Sequence, residues 1–271
     1  MQDARGLWPR AFAMMQLMQP LLLIFFFGLG TILASFVGVL AARLYTGQSM
    51  FGGRSRCDAC GRELGPFALV PIASYVFSGG RARCCGARIS SVAPLSELLL
   101  GILFAFSFQM LGLTLALLFF LVALAALLAL VLYDFAHQIL PTPFLIIFLS
   151  ASLAYAVFSS SNTQTLFLSL ITALGCGLLL ALVHILSRGR AMGLADAPLV
   201  VGLALLSGPL ALSGFVFSFW VGGAVGIVVL LGRPAGSRMG VEVPFAPFLA
   251  AGFLLAIFTG WNLLTLIGIL P

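Results

Sequence analysis

The sequence predicts an all-α polytopic membrane protein of about eight transmembrane helices, with a Cys-containing cytoplasmic loop between helices 1 and 2. Three observations predict it. Of the 271 residues, 62% are hydrophobic and 7% charged, whereas a soluble domain carries about 25% charged residues. Mean hydropathy is +1.21. The apolar residues gather into long runs, and a bilayer-spanning helix needs roughly 20 of them. An ordinary soluble enzyme, a disordered chain and a disulfide-rich secreted scaffold are excluded.

Taken in order, the runs place helices near 20–43, 94–113, 115–133, 142–158, 164–187, 197–213, 214–232 and 244–269. The first is long enough to span and ends at Arg43; no small-residue cleavage site follows closely, so it reads as a retained helix rather than a cleaved leader. The second opens at Pro94. The third stops before Asp134. The fourth, sixth and seventh are short or Gly-rich, and 197–232 reads either as two spans or as a broken arrangement. Three parts result: 1–43 with the first helix, a Cys- and Arg-rich loop at 44–93, and a transmembrane core at 94–271. No internal repeat or low-complexity linker is apparent.

All 13 basic residues are Arg, against seven acidic ones, for a formal net charge of +6. No basic stripe is interleaved with aromatics, so nucleic acid is not an expected partner. The Arg mark topology instead. Arg54, Arg56, Arg62, Arg81, Arg83 and Arg88 occupy the 44–93 loop, Arg188 and Arg190 the 188–196 connection, and Arg233 and Arg238 the 233–243 connection. The connections near 114, 159–163 and 213 carry none. By the positive-inside rule the Arg-bearing loops face the cytoplasm; Arg5 and Arg10 then fall on the outer side, against the rule.

Glu97, Asp134 and Asp196 are the acidic residues that touch the apolar runs. An ionisable group there is costly and marks a functional site by default. Two crossings separate Asp134 from Asp196, so both carboxylates return to the cytoplasmic boundary. Gly193 and Ala195 are small and permit close backbone approach beside the second. Two carboxylates in one site cannot both ionise cheaply, so they share a proton. Aspartic proteolysis needs that arrangement: one carboxylate deprotonates water and the other polarises the scissile carbonyl. The residues equally fit interfacial helix caps, Asp196 preceding a helix, or a proton-binding pair in a carrier.

Cys57-x-x-Cys60, followed some two dozen residues on by Cys84-Cys85, resembles a structural zinc site of four thiolates. A reducing cytoplasmic loop disfavours disulfides. Adjacent cysteines point apart in most backbones, which leaves open a four-thiolate site, a three-thiolate site and a loop without metal. Cys176 lies among apolar residues and reads as packing. Glu97 suits a helix N-terminus. His137 and His184 read as solvated or structural, and the 25 Phe as lipid-facing and packing material. There is no nucleotide fingerprint.

Over about residues 29–255 these segments resemble one family in one order, the prepilin peptidases, which are bacterial membrane aspartyl proteases of the Gly-x-Gly-Asp type. The pieces are Ser35-Phe36-Val37 with Ala42-Arg43-Leu44, the Cys57–Cys60 and Cys85-Gly86 segments around Val70-Pro71-Ile72, and Pro94-Leu95-Ser96-Glu97. They continue with Asp134 and Ile139-Leu140-Pro141, then Gly193-Leu194-Ala195-Asp196, then Val243-Pro244-Phe245-Ala246-Pro247-Phe248. The resemblance implies that Asp134 and Asp196 are catalytic. It implies a prepilin or pseudopilin substrate, cut at the cytoplasmic face of the bacterial inner membrane, and zinc in the loop. In many members it also implies N-methylation from S-adenosylmethionine. Departures are Ala195 for the second Gly, Pro198 for Lys, Thr142 for Asp, and a Cys at 84 where the family pattern expects one at 82. A basic leader meeting an Arg-rich face is a puzzle that Asp58 and Glu63 only partly offset. The rivals are a presenilin- or signal-peptide-peptidase-like protease, which Tyr133-Asp134 fits but the Cys loop does not, and a non-enzymatic assembly factor or ion-coupled carrier.

Overall fold

The computed structural model describes residues 4–46, 55–57, 59–190, 192–232, 244–266 and 268. Arg54, Asp58, Arg233, Arg238 and Val243, and the side chains of Arg5 and Arg10, lie outside what it describes. Among the described residues the chain is helical, without strands. Its α-helices are α1 (Ala4–Arg43), α2 (Ala73–Phe77), α3 (Val92–Leu111), α4 (Leu115–His137) and α5 (Thr142–Ser159). The rest are α6 (Thr163–Leu186), α7 (Asp196–Ser207), α8 (Ala211–Leu231), α9 (Ala246–Thr259) and α10 (Leu263–Leu266). Six segments are long and apolar enough to cross a membrane, the sixth being Asp196–Val229, which contains both α7 and most of α8; α9 is apolar but shorter. The protein is a polytopic all-α membrane protein.

The chain divides into two compact units, Met1–Leu113 and Thr114–Pro271. In the first, α1 and α3 pack side by side through small residues: a Cβ on Gly30 would lie 2.8 Å from Gly101 Cα, and one on Gly101 2.7 Å from Thr31 Cγ2. Phe26 stacks on Phe108 at 4.7 Å between ring centroids. Without water to expel between lipid-bathed helices, such close backbone approach supplies the attraction.

In the second unit α7 is central. Leu199, Val200, Leu203 and Ala204 are fully buried, against α5, α6, α8 and α9. Gly202 accommodates Phe148 of α5, and Gly177 of α6 accommodates Val201. Further along both helices Tyr155 and Leu206 line one cavity, so α5 and α7 run parallel. Gly214 meets Phe253 and Gly222 meets Phe248, so α8 runs antiparallel to α9. The C-terminal ends of α4, α6 and α8 therefore lie at the same end of this unit as the starts of α5, α7 and α9.

Several boundaries differ from expectation, the first helix beginning at Ala4 rather than near 20. The stretch 197–232 breaks not at 213 but at Gly208–Leu210, a 3₁₀ turn in which Gly208 takes φ +53° and Pro209 withholds a donor. The last helix stops at Thr259 because Gly260, at φ +69°, caps it in the left-handed region. The chain then folds back on the start of α8, where the Leu263 N–H donates to Ser213 Oγ at 2.9 Å. The third run extends to His137, which carries Asp134 into its last turn.

The α8–α9 contact is tightest where Gly252 abuts the Ser218 backbone, with no space for a Cβ. Backbone cannot rotate aside. Gly252→Ala is expected to destabilise the protein by about 1–3 kcal/mol, the usual range for overpacking. Thermal unfolding in detergent checks it, with Gly223→Ala as control, since nothing lies within 4 Å of that position.

Candidate active site

Asp134 closes α4. The helix stops four residues later, where Gln138 turns left-handed and its N–H donates to the Asp134 carbonyl at 2.8 Å. Pro141 then opens α5. The Asp134 side chain is buried, and its Oδ2 accepts the Ala246 N–H at 3.2 Å. Ala246 is the first residue of α9, so this N–H is one of the donors that a helix start leaves unpaired. The positive end of α9 thus points at a carboxylate.

Asp196 opens α7 and is also buried. Its Oδ2 accepts the Gly193 N–H at 3.1 Å. A Cβ on Gly193 would lie 3.4 Å from that oxygen, an ordinary contact, so Gly193 is not sterically required. His184, in the last turn of α6, donates from Nδ1 to the Met192 carbonyl at 2.8 Å. That bond holds the ring against the turn that leads to Asp196.

The structure brings the two aspartates to one end of the second unit. Helices α4 and α7 reach each other mainly through α5 and α9, which pack against both, rather than along an extended mutual face. Each carboxylate spends one oxygen on a backbone N–H. No side-chain oxygen among the described residues is both sealed and unpartnered, so the second oxygen of each stays open. Each carboxylate is thus anchored by one oxygen and open at the other, the form in which a carboxyl group can take or give a proton.

Sequence reasoning did not find the Ala246 N–H, because a backbone donor leaves no signature in residue type. It read His184 as structural, and the structure gives it a bond to the Met192 carbonyl in the turn that leads to Asp196. His137 instead lies against Tyr133, with ring centroids 4.4 Å apart.

In the first unit, Cys57, Cys60, Cys84 and Cys85 converge, with all four Sγ within 4.8 Å of one another. The individual separations are 3.8 Å for Cys57–Cys85, 3.4 Å for Cys60–Cys84 and 3.9 Å for Cys84–Cys85. Four thiolates at about 2.3 Å around a tetrahedral zinc require sulfurs just under 4 Å apart. The donor set fits the metal.

Two matching backbone knuckles create this cluster. In one, the Cys57 N–H donates to the Arg62 carbonyl and the Gly61 N–H to Cys57; in the other, the Ala82 N–H donates to Ala87 and the Gly86 N–H to Ala82. Gly61 and Gly86 both adopt positive φ, +69° and +73°. This is a short internal repeat that the residue types conceal. Ala82 occupies the place of Cys57, and Cys84, two residues on, supplies the missing sulfur. The backbone N–H groups of Cys60 and then Ala59 bring the Cys57 thiol down to about 7. The thiols of Cys60 and then Cys57 push Cys84 up to about 12. Four thiolates this close are stable only around a cation.

Residues 29–111 match the family model described as the Bacterial Peptidase A24 N-terminal domain. Three curated relatives are named prepilin leader peptidase/N-methyltransferase. That of Bacillus subtilis (strain 168) is 33% identical over 246 residues, covering 90% of this chain and 96% of the relative. That of Myxococcus xanthus (strain DK1622) is 32% identical, covering 78% of this chain and 64% of the relative. That of Pseudomonas aeruginosa is 30% identical, covering 76% and 71%. No solved structure matches.

Proposed function

The chain belongs to the prepilin leader peptidase/N-methyltransferase family, and from that premise we propose that it is an aspartic endopeptidase with Asp134 and Asp196 as its catalytic pair. It removes the basic leader of a prepilin or pseudopilin at the cytoplasmic face of the bacterial inner membrane. The observation that supports this is that two buried carboxylates, 62 residues apart in sequence, lie at the same end of one helical unit. Arg188 and Arg190 follow α6 at that same end, which supports the cytoplasmic side.

In the mechanism the pair shares one proton. The ionised member takes a proton from water as the water attacks the scissile carbonyl, and the protonated member gives its proton to the carbonyl oxygen. Collapse of the tetrahedral intermediate returns the proton to the new amine. The N–H groups of Ala246 and Gly193 keep each carboxylate aimed during these steps. His184, through its bond to the Met192 carbonyl, braces the turn that precedes Asp196.

Cys57, Cys60, Cys84 and Cys85 hold a structural zinc, which fastens the two knuckles together and takes no part in hydrolysis. Methylation of the new N-terminus, with S-adenosylmethionine as donor, is proposed from the family alone; no residue is assigned to it and no step is derived. The test is to incubate membranes containing the full chain with a prepilin whose basic leader ends in Gly before a hydrophobic stretch. The product is then read by mass spectrometry, with and without S-adenosylmethionine. Leader removal is expected without the donor, and one added methyl group with it. An uncut precursor overturns the peptidase reading; a cut but never methylated product confines the protein to proteolysis.

A further inference from the structure

The two knuckles share a backbone but not a charge pattern. Arg56 faces Glu63 in one and Arg81 faces Arg88 in the other, each pair in an antiparallel bridge. The Ala82 N–H donates to Ala87 and the Ile89 N–H to Gly80, so residues 81 and 88 form a non-hydrogen-bonded pair. Side chains of such a pair share a face and approach most closely. Arg56 and Glu63 answer each other with an ion pair at 3.9 Å. Arg81 and Arg88 are both exposed, and like charges directly opposite are unfavourable. Two guanidinium groups held on one face favour an anion between them, and their forks suit a phosphate.

A second observation says where that phosphate comes from. The segment joining the knuckles exposes large apolar side chains outside any membrane-spanning helix: Phe67 at 81%, Phe77 at 79% and Val76 at 65%. It is tied to the edge of the bilayer. The Ile72 N–H donates to Glu97 Oε2 at 2.7 Å, and Glu97 is buried in the second turn of α3, a candidate span. Ile72 takes φ +58°, a region costly for a β-branched residue, so this bond holds the segment where it would not rest unaided. Apolar side chains fixed at the level where a helix enters the membrane, beside unpaired Arg, are the chemistry of an interfacial anchor.

We propose that residues 66–89 dock on the membrane surface, with Phe67, Val76 and Phe77 entering the headgroup layer and Arg81 and Arg88 gripping the phosphate of an anionic phospholipid. Arg83, exposed between them in sequence, adds to the local positive charge. The inference does not depend on the peptidase reading.

Hydrogen exchange of the full chain in nanodiscs tests it. Amides of 66–89 are expected to exchange more slowly in discs containing phosphatidylglycerol than in discs of phosphatidylcholine alone. Arg88→Glu is the decisive variant, because it recreates the Arg56–Glu63 pairing on the same backbone and so keeps the knuckle. It is expected to abolish the lipid-charge dependence, whereas Arg56→Gln keeps it. Inorganic phosphate added to phosphatidylcholine discs is expected to change nothing. Exchange indifferent to lipid charge, a dependence that survives in Arg88→Glu, or equal protection by free phosphate would each overturn the proposal.

Discussion

Asp134→Asn and Asp196→Asn are each expected to lower prepilin cleavage by about 10³-fold or more, while the protein still inserts and folds. General acid–base groups contribute typically about 10²–10⁴-fold, and a pair sharing one proton fails as a unit when either member is lost. Folding should survive because the retained amide oxygen still accepts from the N–H of Ala246 or Gly193. Cleavage of a labelled prepilin in reconstituted membranes is the measurement, with thermal unfolding alongside. Undiminished cleavage in either variant would remove that residue from the mechanism. Gly193→Ala provides the contrast: its methyl finds only ordinary contact, so activity is expected to remain within severalfold of the parent.

The second large effect concerns the sulfur cluster. Cys60→Ser or a strong chelator is expected to remove the metal, leaving residues 55–90 open to limited proteolysis while the second unit stays protected. Structural zinc in small peptides is worth roughly 10–16 kcal/mol, far more than the few turns and bridges of this loop can supply. Metal content by mass spectrometry and the proteolytic pattern read it directly. Retention should also weaken as pH falls, because the metal binds thiolates. Protons compete with the metal for the same four sulfurs, so acid favours release. A cluster that keeps its metal equally well in acid, or a loop that stays closed without it, would contradict the reading.

Much of this molecule is legible in one dimension. Hydrocarbon tolerates few charges, so Asp134 and Asp196 stand out against apolar runs, and counting crossings returns them to one side; α5 and α6 supply those two crossings. The helix ends were less legible. Gly260 ends α9 some ten residues before the apolar run ends, since hydropathy continues through a left-handed cap that backbone geometry enforces. The cysteines show a different limit. That Cys84 can stand in for a residue expected at 82 depends on how far a knuckle carries a sulfur across its turn, which spacing alone does not encode. The opposition of Arg81 and Arg88 likewise exists only after the chain has paired with itself, and the Ala246 N–H belongs to no residue type at all.

The shortness of the two helices that bear on the catalytic pair has its own consequence. Twelve residues in α7 and fourteen in α9 rise only about 18 and 21 Å, against roughly 30 Å of hydrocarbon. α7 is enclosed by α5, α6, α8 and α9, with Leu199, Val200, Leu203 and Ala204 fully buried, so its short rise falls inside the protein rather than against lipid. Hydrolysis consumes one water per bond, and under the proposed mechanism that water has to reach Asp134 and Asp196 from the end of the unit at which α7 and α9 begin.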